Sequence, residues 1–381
     1  MPRRRASIEA GRAAGSGRAL ARSVLRRIVG VDLSYPTQSS LRVRSYEIGH
    51  PRFPAIDMHA HLRGEFGARW SSYSAARLID ALDAAGVAAV VALDGGFGAS
   101  LAAEIERLQV PHPDRFAVFA NIDYRTLSQE TDFGAIEADR LIASVRAGAR
   151  GLKIWKTLGL KIRDAAGDLI GIDDERLSPL WIAAGELRIP VLIHVADPLA
   201  FFEPLTPANE RWLELRRHPD WHYYPARVAG NRRDPRPPSF DELQEQFSSL
   251  LRRHPTTTFI GAHMASCAED LDRLGRLLEA HPNLYVDTAA RLNELGRQPY
   301  SSRAFLLKYQ DRVLFGTDTG PDPETCRLYY RFLETPAEYV PYSPSPAPRQ
   351  GNWRIYGIDL PDEALRKIYR DNAHGLIGFA R

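Results

Sequence analysis

The stretch Ile56-Asp57-Met58-His59-Ala60-His61 reads as a β-strand that ends in two histidines. Successive side chains alternate across a strand, so residues two apart share a side. His59 and His61 therefore project together, and the same alternation puts Asp57 below them. The chain continues Leu62-Arg63-Gly64, which is not a glycine-rich phosphate cradle. A doubly wound nucleotide-binding sheet usually needs such a turn after its first strand.

Outward from this strand, short apolar runs alternate with helical patterns. The predicted strands are Ala55–His61, Val87–Leu93, Phe116–Ile122, Gly151–Trp155, Pro190–His194, Thr257–His263, Leu284–Asp287 and Arg312–Thr317. Apolar residues spaced at 3.6 predict helices over Tyr73–Ala85, Ser100–Leu108, Phe133–Ala147, Leu177–Leu187, Phe240–Arg253, Ala268–Ala280 and Tyr300–Tyr309. A last helix, Asp362–Gly375, follows the start signal Leu360-Pro361-Asp362-Glu363. Eight strand–helix units define the α/β class and predict a (β/α)8 TIM barrel. Two connections are too long for simple barrel loops. Val195–Ser239 follows strand five and Gly320–Leu360 follows strand eight, both on the face where barrel enzymes place their sites.

Charge is distributed unevenly. The chain has 381 residues and a formal net charge of +3. Residues 1–30 carry eight arginines and one acid, Glu9, so this segment alone is +7 and the remainder is −4. A mildly acidic body argues against nucleic-acid binding driven by counterion release. Residues 1–40 are therefore set apart as an Arg-rich, disordered tail, and 41–381 as the barrel domain. Two cysteines, Cys267 and Cys326, supply neither a disulfide framework nor a four-thiolate zinc site. No apolar run is long enough to span a membrane, and the tail lacks the apolar core of a secretory signal. A cytoplasmic enzyme with a small-molecule substrate is expected, with homodimerisation left open.

The chemistry-bearing residues gather at strand ends. Strand one ends in His59 and His61, strand five in His194, strand six in His263, and strand eight in Gly316-Thr317-Asp318. In a closed barrel these ends converge. Three imidazoles and a carboxylate suit one borderline divalent ion, zinc first and manganese as the alternative. His263 is then a general acid/base or a further ligand, and Asp318 a ligand or proton acceptor. The other histidines sit in loops, before prolines or near the last helix, and read as structural, with His222 a partial exception.

This ordered set resembles the amidohydrolase superfamily, most closely the branch that includes aminocarboxymuconate-semialdehyde decarboxylase. The resemblance covers Phe53 to the C-terminus. It implies that His59, His61, His194 and Asp318 hold the catalytic metal and that His263 transfers a proton above it. It does not name a reaction.

Strand four adds Gly151-Leu152-Lys153-Ile154-Trp155-Lys156. Only five lysines occur in the chain, and three of them are Lys153, Lys156 and Lys161. Lys153 has three readings: a cation for substrate or an acid partner, a carboxylated bridge between two metals, or a structural lysine snorkelling to the rim. Arg291, after strand seven, is either an anion-binding residue or a solvated loop arginine. Asp94, Asn121, Asp123 and Asp197 sit on the same barrel face. The leading expectation is a metal-dependent hydrolase in which a metal-activated water attacks an ester, lactone or amide of an anionic substrate. A nonoxidative decarboxylase of an aromatic or muconate-type acid is the alternative, and a non-catalytic barrel the third.

Overall fold

The computed structural model describes residues 39–64, 68–224, 236–345, 348 and 350–379. Nearly all of the tail assigned to residues 1–40 lies outside these residues, as does part of the first long connection, 225–235.

Eight parallel strands pair strictly in chain order. They are β1 (Ala55–Ala60), β2 (Val87–Ala92), β3 (Phe116–Asn121), β4 (Gly151–Ile154), β5 (Val191–Ile193), β6 (Phe259–Gly261), β7 (Leu284–Asp287) and β8 (Val313–Leu314). The ring closes where Met58 N–H donates to Phe315 O and Ala60 bridges Thr319 in parallel. This is the TIM barrel expected from the alternation of strands and helices.

The principal helices are α1 (Ala75–Ala85), α2 (Gly98–Glu104), α3 (Phe133–Arg146), α4 (Ser178–Glu186), α5 (Phe240–Arg253), α6 (Leu271–Ala280), α7 (Pro299–Lys308) and α8 (Pro323–Glu334). Local chemistry sets their ends. Ser74 accepts from Arg77 N–H at the start of α1, and Gly86, at φ +73°, closes it in a left-handed conformation. Ser239 and Glu242 form a reciprocal capping box on α5.

Two apolar clusters build the body. The larger joins strand residues such as Val90, Ile154 and Val286 to helix residues such as Leu82, Leu250 and Leu278. The smaller joins Ile56, Met58, Phe119, Leu192, Ile260 and Leu314 to Ile377 and Phe379 near the C-terminus.

The structure differs from expectation at three places. Strand eight is two residues long, because Phe315 N–H donates to Ile368 O in the last helical run instead of extending the ladder. The connection Gly320–Leu360 is not all loop, since it contains α8. Strand six stops at Gly261, where the backbone turns left-handed through His263–Ser266. No helix among the described residues is long and apolar enough to cross a membrane.

Candidate metal centre

His59 and His61 converge on one carboxylate oxygen. Their Nε2 atoms lie 3.2 Å and 3.1 Å from Asp318 Oδ1. Each ring is held from behind by an acid. His59 Nδ1 is 2.9 Å from Asp287 Oδ2, and His61 Nδ1 is 2.7 Å from Asp94 Oδ1. A carboxylate at Nδ1 favours the tautomer protonated there, which turns an Nε2 lone pair toward the site. His61 also stacks on Trp155, with ring centroids 5.2 Å apart.

His263 is placed by its backbone. Its φ is +59° and Asp318 has φ +65°, a left-handed conformation that costs a residue with a Cβ on the order of 1 kcal/mol or more. The strain at His263 is met by two bonds. Its N–H donates to Asp287 Oδ1 at 2.8 Å, and its Nδ1 lies 2.9 Å from Ala289 O. A carbonyl only accepts, so Nδ1 carries the proton and Nε2 keeps its lone pair. Asp318 N–H donates to His59 O at 2.9 Å, which ties β8's end to β1's.

Ligand-type atoms of His59, His263 and Asp318 all lie within 4.8 Å of one another. His194 is next to this group, its ring 4.4 Å from that of His263. It is partly buried, and its Nε2, shielded from solvent, lies 3.7 Å from Asp197 Oδ1 and has no hydrogen-bond partner among the described residues. An orphaned imidazole nitrogen beside converging Nε2 atoms and a carboxylate fits a divalent cation. The five predicted residues are therefore brought together, while the compact trio exchanges His61 and His194 for His263.

Electrostatics follow from burial and these contacts. Burial holds the histidines His194 and His263 well below their ordinary range. Burial also opposes charge on His61, but its bonds to Asp318 and Asp94 outweigh that and raise it to about 9. Burial raises Asp318, yet the neighbouring His263, His59 and His61 hold it well below the usual carboxylate range.

Lys153 is fully buried, with Nζ 3.5 Å from His59 Nε2, and burial lowers it to about 8. Complete burial overturns the snorkelling reading, which requires the ammonium to reach water. Arg291 is 5% exposed, so it is not a solvated loop residue. Its Nη1 donates only to its neighbour Ala290 O, and its Nε has no partner. Among the described residues, neither cation forms an ion pair with a carboxylate. Lys156 differs, because Asp197 grips its Nζ at 2.8 and 2.7 Å.

A cavity of about 390 Å³ opens over Asp318. Its walls include His218 and Trp221 from the connection after β5, Asn293 after β7, and Tyr329 and Tyr342 after β8. Both long connections thus reach the site. His222 does not line the cavity; its Nε2 donates to Glu203 O at 2.8 Å.

A family profile described as amidohydrolase matches residues 56–379. The chain belongs to the amidohydrolase family. Solved structures share the amidohydrolase barrel at low identity. A putative amidohydrolase from Staphylococcus aureus is 15% identical with TM-score 0.54, covering 86% of this chain and 100% of its own. A 2,6-dihydroxybenzoate decarboxylase from Rhizobium is 14% identical with TM-score 0.53, covering 85% and 99%. A dihydroxybenzoic acid decarboxylase from Polaromonas, with bound manganese and the inhibitor 2-nitroresorcinol, is 14% identical with TM-score 0.54, covering 86% and 98%. No curated protein matches the sequence.

Sequence reasoning misplaced one residue near this site and undervalued two. Asp57 does not join the imidazoles. β1 shifts register between Asp57 and Ala60, which breaks strict alternation. Asp57 instead accepts from Thr317 Oγ1 at 2.5 Å and from the backbone N–H groups of Thr317 and His59. Asp94 carried only a weak positional signal, and Asp287 none beyond ending strand seven. Their location at strand ends is the one signal that points to them.

Proposed function

We propose that this chain is a metal-dependent hydrolase acting on an ester, lactone or amide bond of a small anionic substrate. The observation that carries the reading is the convergence of His59 and His61 Nε2 on Asp318 Oδ1, with both rings braced by acids. In this reading His59, His61, His194 and Asp318 hold one divalent ion, zinc first and manganese as the alternative. Such an ion supplies Lewis acidity and lowers the pKa of water it holds.

The chain's own residues do the rest. Asp318, held ionised by three imidazoles, accepts the proton of the attacking water. His263 receives or returns a proton at Nε2, since Nδ1 is committed to Ala289 O. Lys153 and Arg291 are buried and make no ion pair with a carboxylate among the described residues, and a substrate anion would meet that charge. The cavity walls exclude water around the scissile bond.

The same two cations favour a second reading, nonoxidative decarboxylation of an aromatic or muconate-type acid. There Lys153 and Arg291 bind carboxylate and His263 protonates carbon. Two of the structures sharing the fold are decarboxylases of dihydroxybenzoates.

The test is a panel of lactones, esters and amides set against aromatic and muconate-type acids, assayed for acid release and for carbon dioxide. Acid release supports the hydrolase, and carbon dioxide the decarboxylase. Purified protein should carry roughly one divalent ion per chain. Protein that neither retains metal nor responds to zinc or manganese overturns both readings. His263→Asn should leave metal content intact and abolish turnover; a collapse of metal content instead makes His263 a ligand.

A further inference from the structure

Three segments that wall the cavity meet at one buried arginine. Arg211 belongs to the connection after β5 and is 1% exposed. Its Nη1 donates to Glu214 Oε2 at 2.8 Å, and its Nη2 donates to Glu294 Oε1. Glu214 itself lines the cavity. Glu294 is also buried and accepts from Asn293 Nδ2 at 3.1 Å, and Asn293 lines the cavity after β7. The guanidinium further lies over Trp353, 5.4 Å from the ring centroid. Trp353 packs on Tyr342, which lines the cavity after β8, at 5.9 Å.

Arg211 does not line the cavity, yet it touches a residue of each wall or that residue's direct neighbour. A buried ion pair is weak evidence for stability, because desolvation offsets much of the attraction. Its directional value is greater. A planar guanidinium with two carboxylate partners fixes angle as well as distance. Segments tied to one guanidinium, two through its fork and the third through the Trp353 ring, cannot drift independently.

We propose that Arg211, through Glu294 and Glu214, is a positioning residue that sets the shape of the substrate cavity. This rests on the reading of the cavity over Asp318 as the substrate site. The expected consequence of losing the fork is weaker substrate binding with intact chemistry: a raised KM and an unchanged kcat.

The experiment separates positioning from mere support. Arg211→Ala strands the buried Glu294 and leaves the partly buried Glu214 unpaired, so it lowers the unfolding temperature whatever its role. Arg211→Met with Glu294→Gln removes the fully buried pair at similar volume, leaves only the partly buried Glu214 charged, and should restore most of that loss. Glu294→Gln alone is the milder second variant. Arg140→Met with Glu137→Gln, at the ion pair on α3 and outside the cavity lining, is the control.

Hydrogen exchange read by mass spectrometry should be roughly ten-fold faster in segments 212–223, 288–296 and 340–345 of the neutral double variant. It should be unchanged in β1 and unchanged throughout those segments in the control. Glu294→Gln should show the same pattern at smaller amplitude. The proposal is overturned if the neutral double variant regains wild-type exchange along with its stability, or if faster exchange is confined to residues beside 211.

A substrate found in the panel should show KM raised roughly ten-fold with kcat within about two-fold. A fall in kcat at constant KM also overturns it. Manganese binding should match the wild type in every variant. If wild-type protein binds no metal and turns over nothing, the reading of the site fails, while the exchange result still decides the role of Arg211.

Discussion

Asp94 and Asp287 show how much of the centre lies one contact away from its apparent ligands. Each carboxylate takes the Nδ1 side of one histidine, and Asp287 also holds the His263 backbone. Acids that orient ligating imidazoles typically matter 10–100-fold in metal affinity. Asp94→Asn and Asp287→Asn should therefore weaken manganese affinity by about that factor, with the second also disturbing His263. Calorimetric titration of metal-free protein checks this, and unchanged affinity in both variants counts against the centre. Lys153 offers a second check at this scale. The mononuclear reading requires an unmodified side chain, so a carboxylated Lys153 and two bound ions would move the protein to a binuclear class. The paired histidines were legible because period-two alternation is local. The acids were not, because nothing around Asp94 or Asp287 in the chain states which ring each will face. Asp57 was misread for the opposite reason: alternation assumes a regular strand, and β1 shifts register beside it.

Among the elements, α5 was read to the residue, and its ends explain why. Ser239 and Glu242 cap each other, and Arg236 pairs with Glu242. Ser239→Ala should cost about 1 kcal/mol in chemical denaturation. The Arg236 and Ser239 bonds pull Glu242 from its ordinary 4.5 to about 2. A carboxyl lowered on folding stabilises above its unfolded value, and that contribution is lost as pH falls from 4.5 toward 2. Glu242→Gln should therefore flatten the acid limb of the stability curve and leave its shape near pH 7 unchanged. The pair is exposed, so solvent limits the effect. α8 was missed although Asp322-Pro323-Glu324 is a readable start, with Asp322 accepting from Thr325 N–H. The helix buries seven of its twelve residues, including Tyr330 and Glu334, and its apolar residues gather on one face, so its period was readable too. The proline-rich segment after it then made the whole connection read as loop.

For the whole molecule, charge and architecture separate. The Arg-rich first 30 residues are +7 and the rest of the chain is −4. If the barrel domain is self-sufficient, removing residues 1–40 leaves unfolding temperature and manganese binding unchanged while retention on a cation exchanger falls. A truncated chain that loses metal binding would show that the tail serves the site. The barrel and the convergence of His59, His61, His194, His263 and Asp318 are legible from the chain read alone. Alternating periods identify parallel strands, and a parallel barrel must bring its strand ends to one face. Tertiary contacts alone settle which acid braces which imidazole, that Lys153 and Arg291 are buried with no ion pair among the described residues, and that Arg211 joins three cavity walls. Those depend on register shifts, left-handed backbone at His263 and Asp318, and the docking of long connections. All are long-range contacts between residues whose local sequence carries no record of the partner.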